Sequence, residues 1–442
     1  LSTVYIYNQN IVIFQIIKEK RGVFMLKTTR VTDPELYDIV AAELNRQVHN
    51  IEMIASESTA PLEVLELSGS IFTNKTTEGY PGARFQAGSQ EADRVESLAI
   101  ERAKKVFGAD HANLQTYSGS TANYGVFSAI LNPGDIVLSM RLDQGGHLTH
   151  GSPVNFLSKV YNYVFYGVDP KTEQIDYDAL EKKAEETKPK LIIAGASSYP
   201  RLIDYERMSK IAKKVGAYLM VDMAHVAGLV AAGVIPSPVP YADFVSSSTT
   251  KTFCGPRSGI ILCKAEHAKA LDKGVFPGTV GSIHLATIAA KAFSLRYAAT
   301  PEFRAIMEQV VANAKKLAEE LTSHGFRIVS GGTDNHIVMV DLRPKGITGK
   351  LFQNALEYVG ITVNKNMIPF DPEKPSITSG VRIGLTSISQ RGLKESEVIE
   401  IAAIMNQVAK APEDQANLDA CKAKAEALIA HFPLYPAGAF ED

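Results

Sequence analysis

Two hydrophobic rhythms divide the chain. Short apolar runs at residues 135–139, 160–166, 191–194, 217–221 and 243–245, with a less regular one at 112–115, read as buried strands. Helical spacing at 123–131 and 205–215 falls between them. Strands alternating with helices imply a parallel sheet covered on both faces, with its sites beyond the carboxyl ends of the strands. The spacing predicts further helices at 33–49, with Asp33 as N-cap, and at 91–107. A short strand is expected at 51–57, and a turn-rich loop at 74–84.

After about residue 300 the texture changes. A long amphipathic helix at 302–324 leads into strands at 326–330, 336–341, 361–363 and 380–384, with helices at 349–359, 395–409 and 415–431. This predicts a smaller α+β domain. The expected organisation is an upstream extension at 1–24, a helical arm at 25–55, a large domain at 56–300 and a small domain at 301–442. The apolar stretch inside residues 1–24 is too short and interrupted for a membrane helix, and its lysines follow the apolar run, opposite to a secretory signal. It takes no part in the functional argument.

Composition narrows the class. The 442 residues are 45% hydrophobic and 21% charged with a net charge of -2, as in a soluble globular protein, and nothing supports a nucleic-acid or membrane partner. Cys254, Cys263 and Cys421 have no metal-ligand spacing and point to a reducing, cytoplasmic setting.

Candidate chemistry gathers at strand ends. Asp222 closes the 217–221 run and Lys251 follows the 243–245 run. An acid after one strand and a lysine after the next is the layout that pyridoxal phosphate (PLP) requires: an amine for its aldehyde, a carboxylate for its ring nitrogen. A strand-end acid and a surface lysine are the plainer reading of that pair alone. Ser118-Gly119-Ser120 at a helix start suits an anion, or is simply a cap. His147 and His150 lie in a glycine-rich loop but lack a third ligand at a recognisable spacing, so no metal is expected. Arg382, two residues after Gly380 and two before Gly384, has the shape to grip a carboxylate.

Taken together, these segments resemble the serine hydroxymethyltransferase family. The resemblance runs from about Asp33 to Tyr435 and is carried by Ile54-Ala55-Ser56-Glu57, Glu78-Gly79-Tyr80-Pro81-Gly82, Ser118-Gly119-Ser120, the Gly145 to Gly151 loop and Asp222-Met223-Ala224-His225. Lys251 with Gly255-Pro256-Arg257, then Ser330 to His336, Thr362 to Asn366 and Thr378 to Arg382 complete it. It implies the α/β fold type I of PLP-dependent enzymes, aspartate aminotransferase-like, with a large mixed-sheet domain and a smaller C-terminal α+β domain. It also implies a homodimer with shared active sites, PLP as cofactor, and an amino acid and tetrahydrofolate as small-molecule partners.

Roles carried over by the resemblance follow the matching positions. Lys251 holds PLP, Asp222 pairs with its ring nitrogen, and His147 stacks on the ring. Ser118, Gly119, Ser120 and Gly281 bind phosphate, and His225 and Ser197 meet the ring oxygen. Arg382 and Ser56 hold the substrate carboxylate, with Thr76 beside it, and Glu78 handles a proton near the substrate hydroxyl. Leu142, Leu148 and Asn366 match folate contacts.

The match departs at Thr76, where the family usually has tyrosine, at Phe85-Gln86, usually a tyrosine pair, at Thr250, usually histidine, and in the loop Thr279-Val280-Gly281-Ser282. Losing a ring beside Cα opens space for a substituent there. Serine–glycine interconversion is therefore joined by other readings: 2-methylserine to D-alanine, a folate-independent aldolase on 3-hydroxy amino acids, or an inert PLP-binding protein.

Overall fold

The structure, a computed structural model, describes residues 26–436 and 439, so the 1–24 extension lies outside the described residues. Seven strands form the larger sheet: β1 (His111–Asn113), β2 (Ile136–Met140), β3 (Asn162–Tyr166), β4 (Leu191–Ala194), β5 (Tyr218–Asp222), β6 (Phe244–Ser248) and β7 (Gly259–Cys263), in the order β1-β7-β6-β5-β4-β2-β3. Strands β4 and β7 are buried at every residue, as continuous apolar runs between two helical layers should be.

The sheet is mixed, as the resemblance implies, and not wholly parallel, as the strand–helix alternation alone suggested. β2 to β6 pair in parallel, but β7 is antiparallel to both β6 and β1. The reason lies in chain length. Only residues 249–258 join β6 to β7, whereas a parallel crossover needs about a dozen residues or more. The chain folds straight back instead.

Several helices accompany this sheet. α1 (Pro34–His49) is capped by the Asp33 carboxylate, which accepts from Leu36 N at 3.2 Å, yet none of its residues is buried. α2 (Gln90–Phe107) packs against α5 (Leu285–Ala298), while α3 (Gly119–Ile130) lies on β6 and β7, and α4 (Tyr205–Val215) on β4 and β5. Helix α5 was not foreseen. It is apolar nearly all round and buried along most of its length, so it shows no amphipathic stripe to read. Its one buried cation, Lys291, donates from Nζ to Ser258 Oγ (2.9 Å), to Gly259 O (3.2 Å) and to Leu114 O, tying the end of β1 to the start of β7. Burial pushes its pKa down to about 7.

The C-terminal part begins with α6 (Pro301–Ser323), capped by Thr300. A second sheet, all antiparallel, has β8 (Arg327–Ile328), β9 (Ile337–Asp341), β10 (Asn364–Asn366) and β11 (Gly380–Gly384) in the order β8-β9-β11-β10. Helix α7 (Gly349–Val359) packs on it, and α8 (Glu395–Lys410) and α9 (Gln415–Ile429) pack on α7 and on each other, with α8 also on α6. Ile51–Glu52 pairs in parallel with Ile361–Thr362, so the segment after α1 is stitched to this part of the chain. Among the described residues no helix is long and apolar enough to cross a membrane. The three cysteines are buried free thiols.

Candidate active site

Asp222 and Ser248 are the last residues of β5 and β6, and Lys251 opens the turn Lys251–Phe253 beyond β6. That turn is locked from two sides. Thr252 Oγ1 donates to His225 O (2.8 Å) and accepts from Gly228 N (3.0 Å), coupling it to the segment after Asp222. Gly228 has no alternative: a Cβ there would collide with the backbone carbonyl of Thr252. Lys251 itself sits at φ +54°, the left-handed region that L-residues seldom occupy. A held turn, not local preference, keeps the lysine there.

Around this turn is a cavity of about 100 Å³, lined by Ser118, Gly119, Ser120, His147, Ser197, Asp222, His225 and Lys251, all foreseen, and also by His150 and Ser248. Asp222 is fully engaged. Its Oδ2 accepts from Asn123 Nδ2 (2.9 Å) and His150 Nε2 (3.1 Å), and its Oδ1 from Ala224 N (3.0 Å). Burial alone would raise its pKa, but His150 above all, then His147 and Asn123, hold it well below the usual carboxylate range. The acid is an anion at any ordinary pH.

Lys251 is buried, and burial pushes its pKa down to about 8; Asp222 opposes this and Arg382 reinforces it. His147 accepts at Nδ1 from Thr149 N (3.2 Å) and Thr149 Oγ1 (2.8 Å), and burial lowers its pKa to about 4. Burial also holds His225 and His336 well below the usual histidine range, His336 at about 3. These three rings are neutral walls near pH 7. His225 stacks on His336 with centroids 5.6 Å apart, and His336 Nε2 donates to Ala55 O (3.2 Å).

Helix α3 aims its N-terminus into the cavity. The Ser118 hydroxyl is engaged in a capping box with Thr121, so the plain-cap reading holds for that side chain. The first N–H groups of the helix at Gly119 and Ser120 have no partner one turn back, which is the arrangement that attracts an anion. Arg382, in the middle of β11, donates from Nη1 to Ser197 O (2.6 Å) and from Nε to Asn364 Oδ1 (3.1 Å). Its Nη2 has no hydrogen-bond partner among the described residues. Burial lowers its pKa to about 10, so it stays charged near neutrality.

Other foreseen residues stand apart. Thr76, Glu78 and Gly281 do not line the cavity. They form a second cluster in which Thr77 N donates to Ser282 Oγ (3.3 Å) and Gly281 N donates to Tyr117 Oη (3.3 Å), next in sequence to Ser118. Thr76 is exposed. Ser56 is half-buried beside Ala55, and Asn366 donates to Met367 O (2.7 Å) on β10. Leu142 and Leu148 are 44% and 50% exposed, similar to Leu36 and Leu202.

Sequence reasoning missed two members of the site, Asn123 and His336, and gave His150 no role beyond its place in the glycine-rich loop. Asn123 and His336 are completely buried polar residues, and His150 nearly so. His150 also corrects the argument about metal ligands: with Asp222, the third candidate comes from another strand, and the ligand atoms of His147, His150 and Asp222 lie within 4.8 Å of one another. All three are already hydrogen-bonded in the site, and no spacing along the chain could reveal the third.

A buried amine, a fixed carboxylate, a helix N-terminus and an imidazole wall fit one ligand with an aldehyde, a ring nitrogen and a phosphate. With the mixed seven-stranded sheet and the smaller C-terminal sheet, they define the fold type I architecture of PLP-dependent enzymes. The family model for serine hydroxymethyltransferase matches residues 29–405. The chain belongs to that family, whose PLP-dependent reaction interconverts serine and glycine.

Proposed function

We propose that this chain cleaves and re-forms the Cα–Cβ bond of serine, exchanging the hydroxymethyl carbon with tetrahydrofolate. The supporting observation is the cavity at the ends of β5 and β6, in which Lys251, Asp222 and the start of α3 converge, with Arg382 bonded to its wall at Ser197.

PLP, when bound, supplies an electron sink for the pair released at Cα. The protein's part is positioning and charge. Lys251, with its pKa pushed down to about 8, has a substantial uncharged and nucleophilic fraction near neutral pH. Asp222 offers a permanent negative charge to a ring nitrogen and so keeps a proton there. Of the residues lining the cavity, Gly119 and Ser120 would present N–H groups to the PLP phosphate, His147 would cover the ring, and His225 and Ser197 would meet the ring oxygen. Arg382, held at Nη1 and Nε, keeps Nη2 for the substrate carboxylate, with Ser56 beside it. Fixing that carboxylate fixes the rotation about Cα, and so which bond breaks. Glu78 handles the proton at the substrate hydroxyl. Leu142, Leu148 and Asn366 contact folate, which accounts for two leucines left half in solvent.

The reading includes a homodimer with shared sites, built from the arm 25–55, the large domain 56–300 and the small domain 301–442. Its support is the uncovered apolar side of α1, where Leu36 is 49% and Ile39 62% exposed, and the separation of Glu78 and Gly281 from the cavity of their own chain. In a dimer they complete the partner's site.

One observation favours a second substrate. Thr76 is small and exposed two residues from Glu78, and the Thr250 hydroxyl is paired with Ser248 Oγ at 2.9 Å, so neither presents a ring toward a substrate. A Cα-methyl group, as in 2-methylserine, then has room. Steady-state rates with serine, 2-methylserine and allo-threonine, each with and without tetrahydrofolate, separate the readings. Folate-dependent turnover of serine supports the first, preference for 2-methylserine the second, and folate-independent cleavage an aldolase. Absence of turnover on all three refutes the enzymatic proposal.

A further inference from the structure

Glu78 does not stand freely on its loop. The Gln86 side-chain amide meets it at two points: Gln86 Oε1 accepts from Glu78 N (2.8 Å), and Gln86 Nε2 donates to Glu78 Oε2 (2.9 Å). The amide has only one sensible orientation. A backbone N–H can only donate, so Oε1 must face it, which turns Nε2 to the carboxylate. Glu78 O accepts from Phe85 N (3.2 Å), closing the loop behind it. Gln86 is itself anchored, because its carbonyl accepts from Ser89 Oγ (2.8 Å) and Ser89 Oγ meets Thr77 Oγ1 (3.0 Å).

We infer that Gln86 is a positioning residue for Glu78, a clamp that fixes its side chain and assigns its two oxygens different tasks. The Oε2 atom is occupied by an amide N–H, which has no lone pair to receive a proton. Because Oε2 already serves as an acceptor, a proton taken up by Glu78 is favoured on Oε1. That oxygen faces the glycine loop: a Cβ added to Gly281 would lie 3.6 Å from it. Proton exchange with substrate is thereby directed to one side of the carboxyl group. A tyrosine has a single oxygen for both contacts, whereas Gln86 uses two separate atoms, Oε1 and Nε2, so the exchange of tyrosine for glutamine at this position is a change of device. The inference rests on the proposed role of Glu78 in hydroxymethyl transfer, and its test separates the two.

The test uses the PLP-loaded full chain with Gln86→Leu, Gln86→Glu, Glu78→Gln and the double variant Glu78→Gln/Gln86→Leu. Hydrogen exchange at the Glu78 amide, followed by mass spectrometry, reads the clamp without any substrate. Gln86→Leu is expected to speed that exchange about tenfold or more, whereas Gln86→Glu keeps an acceptor for the amide and much of the protection. On the amino acid that the wild type turns over, both Gln86 variants should lower kcat by roughly 10- to 100-fold with KM little changed, as for a misplaced reacting group. In the Glu78→Gln background the Gln86→Leu loss should nearly vanish, because coupled residues are not additive. Unchanged exchange in Gln86→Leu, or losses that simply multiply in the double variant, would overturn the inference. A wild type without turnover refutes the functional reading, and the exchange comparison still decides whether Gln86 holds Glu78.

Discussion

The cavity at Lys251 and the loop at Glu78 are built on different principles. In the cavity the reactive groups are almost sealed from water and each is fixed by several partners. Asp222 alone accepts three hydrogen bonds, and the turn of Lys251 is bolted to His225 and Gly228 through Thr252. On the loop, Thr76 and Phe85 are exposed, the latter at 76%, and Glu78 depends on a single neighbouring side chain. A sealed, densely bonded site tolerates little change, because an unmatched buried charge or donor is costly. An exposed loop can exchange residues without threatening the fold. The family resemblance departs once beside the first region, at Thr250, and three times in the second, at Thr76, Phe85 and Gln86.

That contrast is open to attack, beginning where the effect should be greatest. Lys251→Ala removes the only amine lining the cavity among the described residues. Turnover should fall to background and PLP should dialyse away, read from its visible absorbance; cofactor retained as tightly as in the wild type would break the assignment. Asp222→Asn keeps the shape and removes the charge. A loss in kcat of roughly 10²- to 10³-fold is expected, the scale of one deleted electrostatic stabiliser. Arg382→Lys should raise the KM for the amino acid by about 10-fold or more, because a lysine cannot reproduce the planar fork; an unchanged KM would place the carboxylate elsewhere.

Loop variants should behave differently. Thr76→Tyr is expected to shift preference from 2-methylserine toward serine by roughly tenfold, the scale of one methyl group in a fitted site, with stability altered by no more than about 0.5 kcal/mol. A large drop in melting temperature would contradict the view of this loop as separable from the fold. The smallest effect is in pH. The Lys251 pKa is depressed from 10.5 to about 8, so the amine sheds its proton as pH rises through about 8. Capture of PLP by the cofactor-free protein should accelerate over that interval and then level off. His147, lowered to about 4, should leave no step near pH 6.5.

Some of this was legible from the linear pattern. Helix 205–215 and strands 191–194 and 380–384 were read with their observed bounds, the helix from its clean period and the strands as short runs between flanking breakers. Helix α5 was missed because it is buried on most of its surface and carries no amphipathic stripe; strand β7, as fully buried as β4, was also not read. Asp222 and Lys251 were found because strand ends are local features. Asn123 and His336 were not, and the partner of His150 was not, because these contacts join residues 99, 111 and 72 positions apart.

By itself, then, the sequence determined the class of chemistry: an acid and a lysine after successive strands, a serine-flanked glycine at a helix start, and an arginine in a late strand. The tertiary structure decided how each group is charged and held. Burial lowers Lys251, three neighbours keep Asp222 anionic, β7 runs backward because its connection is short, and one glutamine gives Glu78 a fixed direction. Residue type and order are carried along the chain, whereas desolvation and hydrogen-bond partnership exist only once distant segments meet.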